Sequence, residues 1–154
     1  MQIIRTNSSN PDFIALVKLL DADLAIRDGD EHGFYHQYNA IVSIKYAIVL
    51  YDGETPIACG AIKEFEPTSM EVKRMYTIPE QRGKGIASVV LDELEKWAAE
   101  LGYKRTVLET GKRQPEAIAL YEKNGYKLIP NYGQYANVEN SVCFEKELGQ
   151  SANN

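Results

Sequence analysis

Residues 75–87, which read MYTIPEQRGKGIA, constrain the fold of this chain more than any other segment. An extended apolar stretch meets Pro79, passes through a basic turn that contains Gly83 and Gly85, and continues directly into an amphipathic helix. A strand, a glycine turn and a helix in direct succession are typical of α/β domains. The segment therefore predicts an α/β fold with a tight turn at a helix start.

This turn has the properties of an anion-binding site. The first N–H groups of a helix have no intrahelical partner and lie at the positive end of the macrodipole, which suits a phosphate. Glycines let the backbone turn sharply and place no Cβ in front of those groups. Arg82 and Lys84 add positive charge, and no acidic residue occurs from Gln81 to Leu91. We predict a phosphate-bearing ligand here; the alternative is an ordinary connection with a solvated basic turn.

Composition limits the function classes. The 154 residues are 44% hydrophobic and 25% charged, as expected for one ordinary globular domain. The net charge of −5 argues against broad nucleic-acid binding. Cys59 and Cys143 lie in apolar strand-like contexts, so we expect buried free thiols in a reducing compartment. Neither a leader sequence nor a run of about 18 apolar residues is apparent, so we expect a cytoplasmic protein that does not bind membranes.

The chain carries one weak metal signal. His32 and His36 are four residues apart and would share one face of a helix, as in zinc-binding HExxH segments. Gly33 stands where that motif has its glutamate, and no CxxC supplies further ligands. We therefore expect no metal site.

Periodicity and turn signals divide the chain into alternating strands and helices. The predicted strands are residues 2–5, 46–51, 56–63, 70–78, 105–109, 126–129 and 141–147, with turns at 52–53 and 66–69 and polar loops at 110–114 and 130–140. The predicted helices begin at Pro11, at about Phe34, after Gly85 and at Pro115. The helix after Gly85 is expected to end near Leu101 and to bury Val90, Leu94, Trp97 and Leu101 on one face.

Two blocks of the chain resemble the GNAT superfamily of N-acetyltransferases. Residues 82–87, RGKGIA, fit the acetyl-coenzyme A signature Q/R-x-x-G-x-G/A, and residues 117–126, AIALYEKNGY, resemble the segment A-x-x-L-Y-x-x-x-G-F/Y. The resemblance extends over residues 47–144. It implies a GNAT fold, an α/β domain over residues 1–148 with a disordered tail at 149–154. Its central sheet is mixed, mostly antiparallel and twisted, with about six or seven strands, flanked by helices and splayed to admit acyl-CoA.

A dinucleotide-binding turn is the main competitor. The spacing G-x-G-x-x-G nearly occurs, but Ser88 replaces the third glycine, and residues 79–82 separate the strand from the first glycine. The chain also begins with a hairpin, and it contains no GxxxxGK phosphate loop. An oxidoreductase fragment is therefore disfavoured.

The resemblance implies direct transfer of an acetyl group from acetyl-CoA to a primary amine, without a metal. A non-catalytic acyl-CoA-binding module on the same fold is the alternative. The Met75 N–H is the candidate oxyanion donor. The implied cofactor-binding residues are Met75, Tyr76, Thr77, Arg82, Gly83, Lys84, Gly85, Ile86, Ala87, Gln114, Ala117 and Tyr121.

Tyr121 is implied to be the general acid, because a phenol is protonated at neutral pH and can protonate a leaving thiolate. A plain core tyrosine is the alternative. Glu71 is the first candidate base. It stands four residues before Met75, so both side chains would share one face of a regular strand; a solvated glutamate is the alternative. Glu109 is the second candidate, and a water chain stays open. Cys143 as a nucleophile is disfavoured.

The acceptor is the least constrained part. Acids combined with aromatics suit an ammonium group, although a solvated acidic loop fits equally. We expect a small-molecule or peptide amine substrate, no nucleic acid, no membrane, and a monomer or homodimer. The segments expected to line the acceptor site are residues 27–39, with Asp28, Asp30, Glu31, His32, Tyr35 and His36, and residues 130–140, with Tyr132 and Tyr135.

Overall fold

The computed structural model describes residues 1–28 and 44–149. Its strands form one open seven-stranded sheet in the order β1-β2-β3-β4-β5-β7-β6. The strands are β1 Gln2–Thr6, β2 Tyr46–Asp52, β3 Thr55–Glu66, β4 Ser69–Thr77, β5 Arg105–Gly111, β6 Lys127–Ile129 and β7 Ser141–Glu147. The helices are α1 Pro11–Asp28, α2 Ile86–Glu100 and α3 Pro115–Lys123, with 3-10 turns at Pro79–Gln81 and Gly133–Tyr135.

The predicted mixed sheet of six or seven strands is confirmed. The pairs β1–β2, β5–β7 and β6–β7 are antiparallel, whereas β4 and β5 are parallel. The parallel register ends where Glu71 faces Val107, although β4 continues to Thr77. Strands β4 and β5 are therefore paired only along the first part of β4.

Several predicted boundaries were wrong. Strand β3 runs to Glu66, beyond the predicted end at residue 63. Strand β5 includes Thr110 and Gly111, which belong to the predicted polar loop 110–114, because they pair with Val142 and Ser141 of β7. The helix predicted from Phe34 and the tail from residue 150 lie outside the described residues.

The chain forms two compact units, Met1–Ala61 with Arg74–Leu91, and Ile62–Lys73 with Asp92–Asn154. In the first unit, α1 begins as predicted. The Asn10 Oδ1 atom accepts hydrogen bonds from the N–H groups of Asp12 and Phe13 at 2.8 and 3.0 Å, which caps the helix. Phe13 and Leu16 are buried in a core with β2, β3 and β4, made of Ala47, Val49, Cys59, Ala61 and Tyr76.

In the second unit, β5 pairs along its whole length with β7, and β6 adds to the far edge of β7. Its core contains Met70, Val107, Leu108 and Phe144, all buried. Across the described residues, no helix has both the length and the apolar character needed to cross a membrane. Nor do these residues include a group of three or more His, Cys, Asp or Glu side chains arranged to hold a metal ion; His32 and His36 lie outside them.

The predicted buried face of α2 was partly wrong. Leu101 lies beyond the helix end and is 39% exposed, whereas Glu95 is buried at 8% exposure. The Glu95 carboxylate accepts hydrogen bonds from the Tyr126 hydroxyl at 3.0 Å and from Lys146 Nζ at 2.8 Å. The charge of Glu95 is tolerated because both oxygens have partners.

We expect Glu95→Ala to lower the free energy of unfolding by roughly 1–3 kcal/mol, because it removes the carboxylate that accepts hydrogen bonds from Tyr126 and Lys146. Asp92→Ala is the matched control on the same helix. Its ion pair with Lys96 is exposed at 60% and 63%, so we expect a change below about 0.5 kcal/mol. Urea denaturation of both variants measures the difference. Equal losses would show that the buried carboxylate adds nothing.

Candidate active site

The glycine turn of the first unit has the geometry of an open cradle. Gly83 and Gly85 have φ angles of 78° and 80°, in the left-handed region that favours glycine. A Cβ built on either glycine would meet nothing within 4 Å, so space in front of this backbone is open. Helix α2 begins directly after the turn and has no acidic residue in its first turn. An anionic group fits this arrangement.

Arg82 is tied to the end of β4. Its Nε donates a hydrogen bond to the Thr77 carbonyl oxygen at 2.8 Å, and its guanidinium carbon lies 5.4 Å from the centre of the Tyr76 ring. A guanidinium nitrogen also lies 3.9 Å from Asp23. Arg82 thus connects the turn to the strand that precedes it. Its contact with a phosphate, and that of Lys84, stay predictions.

Arg74 has an irregular backbone conformation within strand β4. Its φ of 61° is the only positive value at a non-glycine residue among those described, and this conformation is unfavourable for a side chain with a Cβ. Arg74 is held by an ion pair with Asp21 at 3.3 Å, and its carbonyl accepts a hydrogen bond from the Cys59 thiol at 3.3 Å. Regular alternation is therefore broken between Glu71 and Met75, and their even spacing no longer implies a shared face.

In the second unit, Glu71 is buried, so the alternative of a solvated glutamate was wrong. The Tyr132 hydroxyl donates a hydrogen bond to Glu71 Oε2 at 2.7 Å. Lys73 Nζ lies 3.7 Å from Oε1, and both side chains of this ion pair are less than 10% exposed. The carboxylate is thus enclosed by a phenol and an ammonium group.

Glu109 and Tyr121 also belong to the second unit. The Ser141 hydroxyl donates to Glu109 Oε2 at 2.7 Å. The ring of Tyr121 is buried, with its centre 5.7 Å from that of Tyr126 and 6.4 Å from that of Phe144. Burial, and then the charge of Glu109, raise the pKa of Tyr121 above its ordinary value. Tyr121 is therefore a packed core residue and also a phenol that keeps its proton at neutral pH.

The carboxylates of Glu71 and Glu109 both raise the pKa values of Tyr135 and Cys143. Burial, Glu109 and Glu71 raise the pKa of Tyr135. Burial raises the pKa of Cys143 to about 11, with smaller contributions in the same direction from Glu109 and Glu71. The backbone of Tyr132 has the opposite effect and lowers this pKa. Glu71 and Glu109 therefore face one cluster. Both cysteines are buried free thiols, as predicted, and the protonated state of Cys143 disfavours a nucleophilic role.

Gln114 is the N-cap residue of α3, and Pro115 begins this helix as predicted. The Gln114 carbonyl accepts hydrogen bonds from the N–H groups of Ala117 and Ile118 at 3.1 and 3.2 Å. The cofactor contacts of Gln114 and Ala117 stay predictions. In the first acceptor segment, residues 29–39 lie outside the described residues, and the side chains of Arg27 and Asp28 are not described either.

The contact between Tyr132 and Glu71 could not be predicted from the sequence. Residues 130–140 are predicted to line the acceptor site because of their tyrosines, but the partner of Tyr132 lies 61 positions earlier. No local periodicity connects the two positions. The only sequence feature that points to this contact is the combination of acidic and aromatic residues in the segments expected to line the acceptor site.

Comparison with known proteins places this fold and these residues in a family. A model of the Acetyltransferase (GNAT) family matches residues 13–126, so the chain belongs to the GNAT family of acetyltransferases. It is 36% identical over 106 residues to the IAA acetyltransferase of Azospirillum brasilense, covering 68% of this chain and 69% of that protein. It is 34% identical over 100 residues to the uncharacterized N-acetyltransferase YsnE of Bacillus subtilis, covering 64% and 66%. The chain thus spans about two thirds of the length of these curated relatives.

Solved structures confirm the GNAT fold. A protein named as an acyl-CoA N-acyltransferase, from Klebsiella pneumoniae, has a TM-score of 0.80 at 29% identity, covering 96% of this chain and 97% of that one. The PaiA N-acetyltransferase of Thermoplasma acidophilum, crystallised with coenzyme A, has a TM-score of 0.70 at 18% identity, covering 96% and 99%. An aminoglycoside 6'-N-acetyltransferase, also complexed with coenzyme A, has a TM-score of 0.72 at 17% identity, covering 97% and 98%.

Proposed function

We propose that this protein is an acetyl-CoA-dependent N-acetyltransferase that acts on a primary amine by direct attack in a ternary complex. The observation that carries the proposal is the turn at Gly83 and Gly85, where left-handed backbone and open space meet the start of α2. Family membership supports coenzyme A as the ligand of this turn, since two proteins of the same fold are complexed with coenzyme A.

The chain offers residues that fit this cofactor. The backbone N–H groups of residues 82–87 would bind its phosphates, with Lys84 and Arg82 adding positive charge at the turn. Residues 75–77 of β4 would pair with the pantetheine arm through their backbone. Gln114, Ala117 and Tyr121 are further candidate cofactor contacts, on family resemblance alone. When bound, acetyl-CoA supplies an activated thioester carbonyl.

Proton transfer is assigned to the cluster in the second unit. Tyr121 keeps its proton at neutral pH because burial and Glu109 raise its pKa, and it would donate that proton to the departing sulfur. Glu71 is the first candidate to take a proton from the amine, directly or through water, and Glu109 is the second. The Met75 N–H is the candidate donor to the developing oxyanion.

The acceptor is proposed as a primary amine on a small molecule or peptide. The names of the similar proteins point to different acceptors, including an aminoglycoside. The tyrosines and carboxylates of the cluster suit an amine that arrives as a cation. The negative net charge of the chain is compatible with such a substrate.

Thermal shift and thiol release together test the proposal. We expect acetyl-CoA and CoA to stabilise the protein, by about 2.7 kcal/mol at 100 times their Kd, and NAD and ATP to have much smaller effects. We then expect CoA release when acetyl-CoA is mixed with at least one member of a panel of primary amines. Stabilisation by NAD but not by CoA would contradict the cofactor. Stabilisation by CoA with no turnover over a broad panel would instead indicate a binding module.

A further inference from the structure

Tyr132 is fixed from several sides within the second unit. Its ring centre lies 4.7 Å from that of Phe65 and 5.8 Å from that of Tyr135, which it meets nearly at a right angle. These contacts leave the side chain little freedom, so its hydroxyl is held at a defined point 2.7 Å from Glu71 Oε2.

The two oxygens of Glu71 consequently have different surroundings. Oε2 accepts the hydrogen bond from Tyr132, whereas Oε1 lies 3.7 Å from Lys73 Nζ, beyond hydrogen-bond distance. A donor on one oxygen sets the rotation of the carboxylate about its last bond. The second oxygen, which lies beside the Lys73 ammonium group, is then the one that would take a proton from an amine or a water.

The direction of the Tyr132 hydrogen bond is also determined. Burial and the charge of Glu71 raise the pKa of Tyr132 far above its ordinary value. The phenol therefore keeps its proton and acts as the donor throughout the pH range in which enzymes are assayed. An ionised carboxylate is the natural acceptor for such a donor.

We propose that Tyr132 is a positioning residue, which orients Glu71 as the base that deprotonates the acceptor amine. This inference rests on the proposed function, in which Glu71 is the first candidate base. Ser141 makes the same kind of contact with Glu109, at 2.7 Å. Tyr132 and Ser141 thus offer a way to determine which carboxylate is used.

The test compares Tyr132→Phe with Tyr103→Phe. Both remove a tyrosine hydroxyl that donates to a glutamate, but Tyr103 binds the exposed Glu64. For Tyr132→Phe we expect kcat to fall about tenfold or more, which corresponds to one misplaced charged hydrogen bond, with the KM for acetyl-CoA unchanged. Tyr103→Phe should leave both quantities unchanged.

A double-mutant cycle makes the test specific to Glu71. If Tyr132 acts through Glu71, Tyr132→Phe should cost little in a Glu71→Gln background. An equal loss in both backgrounds would overturn the positioning role. Full activity of Glu71→Gln would overturn it as well. In each of these cases the wild-type protein still releases CoA in the presence of an amine, whereas failure of the proposed function would show as no release by the wild type.

Discussion

Tyr121→Phe should lower kcat at least about 100-fold, the lower end of what a general acid contributes, while acetyl-CoA affinity stays nearly unchanged. Phenylalanine keeps the ring packed against Tyr126 and Phe144 and removes only the hydroxyl. A leaving thiolate would then depart without a proton donor. Steady-state CoA release measures kcat, and calorimetric titration with CoA measures binding.

Tyr126→Phe is the matched control for this variant. Tyr126 is also buried, and its hydroxyl contacts Thr106 at 2.8 Å and Glu95 at 3.0 Å, which is a structural role. We expect this variant to lose stability and to keep its kcat within a few-fold. An unchanged kcat in Tyr121→Phe would remove Tyr121 from the mechanism. Similar losses in both variants would indicate a loosened core instead.

The pH dependence gives a second measure of the same role. Burial and Glu109 raise the pKa of Tyr121 above its ordinary value of 10.0. Since the protonated phenol is the active form, the enzyme activity that depends on Tyr121 is complete below the ordinary phenol pKa of 10.0. This activity is lost as the pH rises through the raised pKa. If the activity already falls with rising pH below about pH 9, the group that loses its proton must therefore be another one than Tyr121.

Features with local causes could be predicted from the sequence. Strand β7 is predictable at Ser141–Glu147 because the apolar run 142–144 follows a loop rich in Asn, Tyr and Gly. The start of α3 at Pro115 follows from the fixed φ of proline. The glycine turn is likewise local, since its left-handed conformation depends on residues that are adjacent in sequence.

Features that depend on distant partners could not be predicted. Burial of Glu95 depends on Lys146 and Tyr126, which are supplied by another part of the second unit. The positive φ of Arg74 is held by Asp21, from a different element. For the same reason, Glu71 and Tyr121 were named as candidates by family resemblance, whereas their electrostatic surroundings became known only from the structure.

Gly85→Ala should weaken acetyl-CoA binding at least about tenfold, because a methyl group in front of the turn blocks close approach of a phosphate. Loss of one hydrogen bond to a charged group, worth about 1.5–3 kcal/mol, already gives this effect. The free protein has room for the added Cβ, since nothing lies within 4 Å of it. The φ of 80° nevertheless imposes strain, of about 1–2 kcal/mol, so stability must be measured separately from affinity.

Gly53→Ala separates backbone strain from ligand binding. Gly53 has a φ of 64°, also has nothing within 4 Å of a built Cβ, and lies in the turn between β2 and β3. Both variants should lose similar stability in thermal denaturation, because both place an alanine in the left-handed region. Only Gly85→Ala should raise the Kd for CoA in calorimetric titration. An equal rise of this Kd in both variants would show that the effect comes from general destabilisation. No rise of the Kd in either variant would show that the phosphates do not approach the backbone at Gly85.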